Sequence, residues 1–235
     1  MLLPVHSPAF VRQHLYWPLL LFIACALALR FSALDLYLAD SLYRWQGGAW
    51  RWREAWLTAT VIHEGGRTVI GLAVLLLLAL LLLAQFIPRW RPWRSGLWYL
   101  ACASLGAGLL INVLKQLTRV DCPWDLVRYG GAKPYVPLFA PLPAGLEPGA
   151  CFPAGHASAA YAWCALYYWC LRYAPRWRFW ALGGVLLLGV VFGLGQQVRG
   201  AHFLSHDVWT LGLCWLFATL LYLWWFRREQ EASPG

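Results

Sequence analysis

Three short stretches of this sequence carry most of the side chains that could do chemistry. Val198 to Asp207 (VRGAHFLSHD) crowds Arg199, His202, His206 and Asp207 between two long apolar runs. Lys115 to Pro123 (KQLTRVDCP) sets Lys115 and Arg119 at the end of another run, and Cys151 to Ser158 (CFPAGHAS) sets Gly155 and His156 at the start of the next. Ionisable groups are costly at membrane depth, so a cluster at the rim of an apolar protein marks a functional site by default. Cations able to hold a phosphate, two histidines and a carboxylate together suggest phosphoryl transfer.

The spacing within each stretch gives the groups candidate roles. Lys115 and Arg119 are four residues apart and share one face if their helix continues through both. Arginine would offer a phosphate a fork of donors and lysine a point charge, although interfacial anchoring is the ordinary alternative for both. His156 sits in the first turn of an expected helix, where free backbone N–H groups favour an anion, and Gly155 lets the backbone approach a ligand closely. In the third stretch Arg199 is a cation, His202 a candidate nucleophile and Asp207 a carboxylate able to hold the imidazole tautomer. His206, next to Asp207, is the competing nucleophile, and a hydrated interfacial loop is the ordinary alternative for the whole stretch.

The elements that must position these groups are membrane helices. The chain is 61% hydrophobic and 12% charged, about half the charge of an ordinary soluble domain, which excludes a soluble fold. Its formal charge of +9 does not indicate nucleic acid, because the arginines cluster beside apolar runs rather than along one polar face. Six runs are long enough to cross a bilayer or nearly so: Trp17 to Leu34, Val69 to Ile87, Leu97 to Leu114, His156 to Leu171, Phe179 to Gly195 and Val208 to Phe226. Arginine clusters follow the second run (Arg89, Arg91, Arg94), the fourth (Arg172, Arg176, Arg178) and the sixth (Arg227, Arg228). If every run crosses once, these fall on one side, which the positive-inside rule makes cytoplasmic. Both termini are then inside, and all three motifs face outward.

The expected architecture is therefore an all-α, six-transmembrane-helix bundle with an outward-facing active site, formed by residues 1–235 as one domain. Residues 35–67, rich in tryptophan and arginine with an amphipathic pattern, are expected to lie in the headgroup region as a cover. Residues 118–153 are expected to form the active-site loop. Cys122 and Cys151 lie in that loop and could form one disulfide or remain two free thiols. Five other cysteines fall inside apolar runs as small packing residues, and no zinc spacing is present. No small-residue cleavage site follows the first run, so it is expected to stay as a helix rather than be removed as a signal peptide.

At these residues the chain resembles the phosphatidic acid phosphatase type 2 family of integral membrane lipid phosphatases, whose signature is K-x6-R-P, then P-S-G-H, then S-R-x5-H-x3-D. Lys115 and Pro123 fit the ends of the first part, Pro153, Gly155 and His156 the second, and Gly200, Ala201, His202 and Asp207 resemble the third. The resemblance covers roughly Leu97 to Phe226. It implies a phosphohistidine intermediate at His202, leaving-group protonation by His156, and no required metal or other cofactor. Four departures stand out. Cys122 replaces the first arginine, shifting that role to Arg119. Ala154 replaces the serine, for which Ser158 is the nearest substitute. Gln196 replaces the second arginine, leaving Arg199 as the local cation. Asp207 comes five residues after His202 rather than four.

The resulting expectation is a phosphomonoesterase in the bacterial inner membrane, both termini cytoplasmic, that removes phosphate from a lipid on the periplasmic side. Its partners would be the bilayer and a lipid phosphate, with no nucleic acid; oligomeric state is not legible. Candidate substrates are phosphatidic acid, phosphatidylglycerol phosphate, undecaprenyl diphosphate and lipid A, with Arg44, Arg51, Arg53, Arg128 and Lys133 as further cations for a highly anionic one. The alternatives are a lipid phosphotransferase, an inactive lipid-binding relative, and a metal-binding or transport protein using His156, His202 and His206.

Overall fold

A computed structural model describes residues 7–138 and 140–232, and among these it is all-helical, with one isolated bridge between Leu126 and Lys133 and no strand. Helix α1 (Pro8–Phe31) is followed by a shorter α2 (Leu34–Trp45) and then by α3 (Trp56–Phe86). Next come α4 (Arg94–Thr118), α5 (Gly155–Tyr161) and α6 (Ala165–Tyr173), the last two joined by a single tight turn. Two more helices, α7 (Arg178–Val198) and α8 (Leu204–Ala232), complete the chain.

Among the described residues, five helices are long and apolar enough to cross a membrane: α1, α3, α7, α8 and the helix containing α4. Leu72, Leu75, Leu76 and Leu82 on α3 are each 60% exposed or more, an apolar surface that needs a lipid solvent. The protein is thus a multi-pass membrane protein. The α5–α6 segment is not among the five. From Gly155 to Leu171 it has no exposed residue, so it is encased by other helices, and its Ala, Tyr and Trp content reflects packing against protein.

The structure differs from the sequence expectation in residues 35–67. Only Leu34–Trp45 forms a separate amphipathic helix, whose Ala39 packs with Leu126, Tyr129 and Phe203 over the loop. Residues from Trp56 onward already belong to α3, beginning with a wider π-helical stretch, Trp56–Gly65. The polar run His63 to Arg67 interrupts the hydrophobicity without interrupting the helix.

The core beneath the site is built of small residues, with Ala107, Ile111, Ala154, Ala157, Tyr161, Ala162 and Cys214 buried together. A larger aromatic cluster lies deeper, where Tyr168 bonds Thr219 at 2.5 Å and Tyr99 donates to the Ala218 carbonyl at 3.0 Å. The loop after α4 is firmly tied. Cys122 and Cys151 form a disulfide, Cys151 N–H donates to Val120 at 2.8 Å, and Trp124 N–H donates to the Gly200 carbonyl at 2.9 Å.

Candidate active site

His202 lies just ahead of α8 and His206 in its first turn, and both are buried. Their Nδ1 atoms are 3.3 Å apart. The helix start is held from outside by Asp35, whose Oδ1 accepts from Ser205 N–H at 2.9 Å. Burial, followed by electrostatic repulsion of a second positive charge beside His206 and Lys115, holds the His202 imidazole well below the ordinary histidine range. His202 is therefore a neutral imidazole at neutral pH.

Asp207 does not meet this pair. One residue further round the helix, it turns about 100° away and faces α7. There Gln197 Nε2 donates to its Oδ2 at 2.6 Å, and its Oδ1 has no hydrogen-bond partner. Gly193 makes room for it, since a Cβ at that position would lie 2.8 Å from the carboxyl carbon. The residue against His202 Nδ1 is thus His206, four positions on, at the spacing where the signature has aspartate.

The first two motifs meet where α4 ends and α5 begins. A Cβ on Gly155 would lie 3.0 Å from Lys115 Nζ, so the absence of a side chain there lets the ammonium reach the α5 backbone beside His156. Arg119 does not share the Lys115 face. α4 stops at Thr118, and Arg119 adopts the left-handed conformation (φ 57°), which ends the helix. Its side chain is exposed and lines a cavity of about 710 Å³ together with Asp35, Phe203, Ser205, His206 and Tyr135. The Ser158 hydroxyl donates to the Gly155 carbonyl at 2.6 Å, so it does not stand in for the missing serine.

His156 is flanked by groups from the two neighbouring helices. Its ring lies 4.4 Å from His63 on one side and 4.4 Å from Phe192 on the other, and its Nε2 is 3.3 Å from the Ile62 carbonyl. Arg199 is buried, with Nε donating to the Arg53 carbonyl at 2.7 Å and Nη1 to Gln196 Oε1 at 3.4 Å. Gln196 in turn contacts His63 Nδ1 at 2.7 Å. His63 and Gln197 lie outside the three motif stretches. His63 carried a usable signal, because His63, Glu64 and Arg67 form a fourth ionisable cluster at the edge of an apolar run.

The corner between α7 and α8 is clamped by residues 46–52. Gln46 Nε2 donates to the Val198 carbonyl at 2.9 Å, while its Oε1 accepts from Trp52 N–H at 3.0 Å. Gly200 (φ 75°) packs so closely on the Trp50 indole that a Cβ would fall 2.5 Å from it. Of the further cations, Arg128 makes a two-pronged pair with Asp40 at 2.7 and 2.6 Å, and Lys133 pairs with Asp121 at 2.7 Å. These two fasten the loop, and Arg53 stacks over the Trp124 ring at 4.1 Å and lies 3.6 Å from Glu54, leaving Arg44 and Arg51 nearer the role of surface cations. Among the described residues no three His, Cys, Asp or Glu side chains are grouped so as to hold a metal ion.

A multi-pass helical membrane protein with buried histidines and a buried arginine beside a half-buried lysine is thereby defined. Residues 96–230 match the family profile of the PAP2 superfamily, and the chain belongs to that superfamily. Its members are generally phosphatases, which assigns this chain phosphatase chemistry in that general sense. No curated protein and no solved structure matches the chain.

Proposed function

We propose that the protein is a lipid phosphatase of the inner membrane, acting on the periplasmic side through a phosphohistidine. In this reading α5–α6 is the sixth crossing, both termini are cytoplasmic, and the Lys115, His156 and His202 ends of the bundle face outward. In this reading His202 Nδ1–H donates a hydrogen bond to His206 Nδ1 and keeps its proton, which leaves the Nε2 lone pair to attack phosphorus. Lys115, the N–H groups at the start of α5, and the Arg119 and Arg199 guanidinium groups neutralise the phosphate. As the N–P bond forms and the P–O bond breaks, His156 gives its proton to the departing oxygen. Water then attacks the phosphohistidine, His156 takes a proton from it, and free His202 and phosphate result. Asp207 acts one step removed, fixing the α7–α8 junction through Gln197.

The observation that carries this reading is the convergence of three separated motifs, seen in the approach of Lys115 to Gly155 beside His156, with Lys115 and His156 both acting electrostatically on His202. The test is phosphate release from a panel of lipid phosphates by purified protein, with and without acceptor lipids, alongside His202→Ala and His206→Ala. Release abolished in His202→Ala and reduced but retained in His206→Ala is the expected result. Abolition only in His206→Ala would make His206 the nucleophile, and no release from any lipid would leave a binding protein.

A further inference from the structure

The hydrogen bonds around His63 can be given a direction. Arg199 has only donors, so the Gln196 atom that it meets at 3.4 Å is the carbonyl Oε1. The amide NH2 is then the end facing His63 Nδ1 at 2.7 Å, and that ring nitrogen must accept. An imidazole accepting at Nδ1 carries its proton on Nε2 and is neutral. A second proton would set N–H against N–H. His63 is thus fixed in one tautomer by a polar chain that ends in a permanent cation.

His156 has the complementary arrangement. The Ile62 carbonyl can only accept, so His156 Nε2, 3.3 Å away, carries a proton, and a second proton comes and goes at Nδ1. The two rings are 4.4 Å apart at 52°, too close for both to be charged without strong repulsion. Gly66 brings the α3 backbone up to this assembly, since a Cβ there would lie 2.6 Å from the Phe192 ring and 3.4 Å from His156 Cε1. The other ionisable groups around the pair are Glu64 and Arg67 from α3, Lys115 from α4 against the Gly155 backbone, Arg199 after α7 and His202 before α8.

We propose that His63 is a positioning residue held neutral by Gln196 and Arg199, so that the single extra proton the imidazole pair can hold is reserved for His156 Nδ1. In the cycle above this is the proton handed to the leaving oxygen and recovered from water. The catalytic consequence rests on the phosphatase reading; the tautomer does not. It also gives Gln196 a purpose at the position where the signature has arginine, a residue that could not accept from Arg199.

The test has two arms on the full-length protein. In the first, a 15N-histidine NMR titration in lipid nanodiscs, with His63 assigned by His63→Gln, follows both rings. His63 is expected to keep a neutral Nε2–H pattern through the pH at which His156 charges, and Gln196→Leu to let His63 charge at higher pH than in the unmodified protein. His63 charging before His156, or a titration unmoved by Gln196→Leu, overturns the proposal. In the second arm, the fixed charge of His63→Lys is expected to move the basic limb of kcat/KM about one unit to lower pH. His63→Gln should leave the limb in place whatever its rate, a contrast that a merely structural role would not produce. An unmoved limb in His63→Lys overturns the catalytic part. If no lipid phosphate is hydrolysed, the second arm falls with the function, and the first still decides the tautomer.

Discussion

His206 stands against His202, Nδ1 to Nδ1 at 3.3 Å, while the neighbouring Asp207 is turned to Gln197. A neutral imidazole can accept the His202 proton and fix its tautomer, but it brings no negative charge to stabilise an imidazolium. Because burial and the neighbouring Lys115 and histidines lower the His202 pKa, its neutral form, the nucleophile of the proposed mechanism, persists as pH falls past the ordinary value of about 6.5. The acid limb of kcat/KM is accordingly expected below that pH. His206→Asp would place a carboxylate at the same spacing, raise the His202 pKa, and move the acid limb to higher pH by about one to three units. His206→Ala, which removes the acceptor, should cost up to about ten-thousandfold in kcat, the loss seen when a serine protease loses its tautomer-holding group. A pH–rate profile of the three proteins checks this, and superimposable acid limbs would remove His206 from the site.

Gly200 is required by its backbone and by its neighbour together. Both Gly200 (φ 75°) and Gly48 (φ 76°) adopt the left-handed conformation, but only Gly200 has the Trp50 indole within contact of an added Cβ. Gly48→Ala should cost about 1 kcal/mol, from backbone conformation alone. Gly200→Ala should cost more, about 2–3 kcal/mol, and lower activity by displacing Ala201 and His202. Thermal unfolding in detergent compares them directly, and equal losses would refute the packing argument.

The Cys122–Cys151 bridge closes a loop over a sequence separation of 29 residues. By loop-closure entropy such a bridge is worth about 3–4 kcal/mol. Cys151 N–H also donates to Val120, and three residues further on Ala154 N–H donates to the His206 carbonyl at 3.3 Å. Cys122→Ser with Cys151→Ser should therefore lower both stability and kcat. Alkylation with and without reductant, followed by an activity assay, tests it, and full activity with both thiols alkylated would make the bridge dispensable.

Much of this was legible in linear form. Apolar runs locate the bundle, and Lys115, His156 and His202 stand out in the sequence by their charge at the edges of those runs. Other features depended on three-dimensional phase. Which of His206 and Asp207 faces His202 turns on where α8 begins, since adjacent helical residues point about 100° apart. The separation of Arg119 from Lys115 follows from one left-handed residue that spacing does not reveal. The early start of α3 was hidden because His63, Glu64 and Arg67 lower the hydrophobicity of a stretch that stays helical through packing. The same polar interruption supplies the imidazole that lies beside His156.

The clamp on the α7–α8 corner separates two kinds of boundary. All the signature positions fall within residues 96–230, yet Asp35 caps α8, Gln46 holds the Val198 carbonyl, and Ile62 and His63 contact His156 from before that segment begins. A chain cut at its first matched residue would keep every motif letter and lose the surfaces that aim them. The unit that can be recognised in this molecule is smaller than the unit that can work, and transplanting the former without the latter would yield a protein with the right spelling and the wrong geometry.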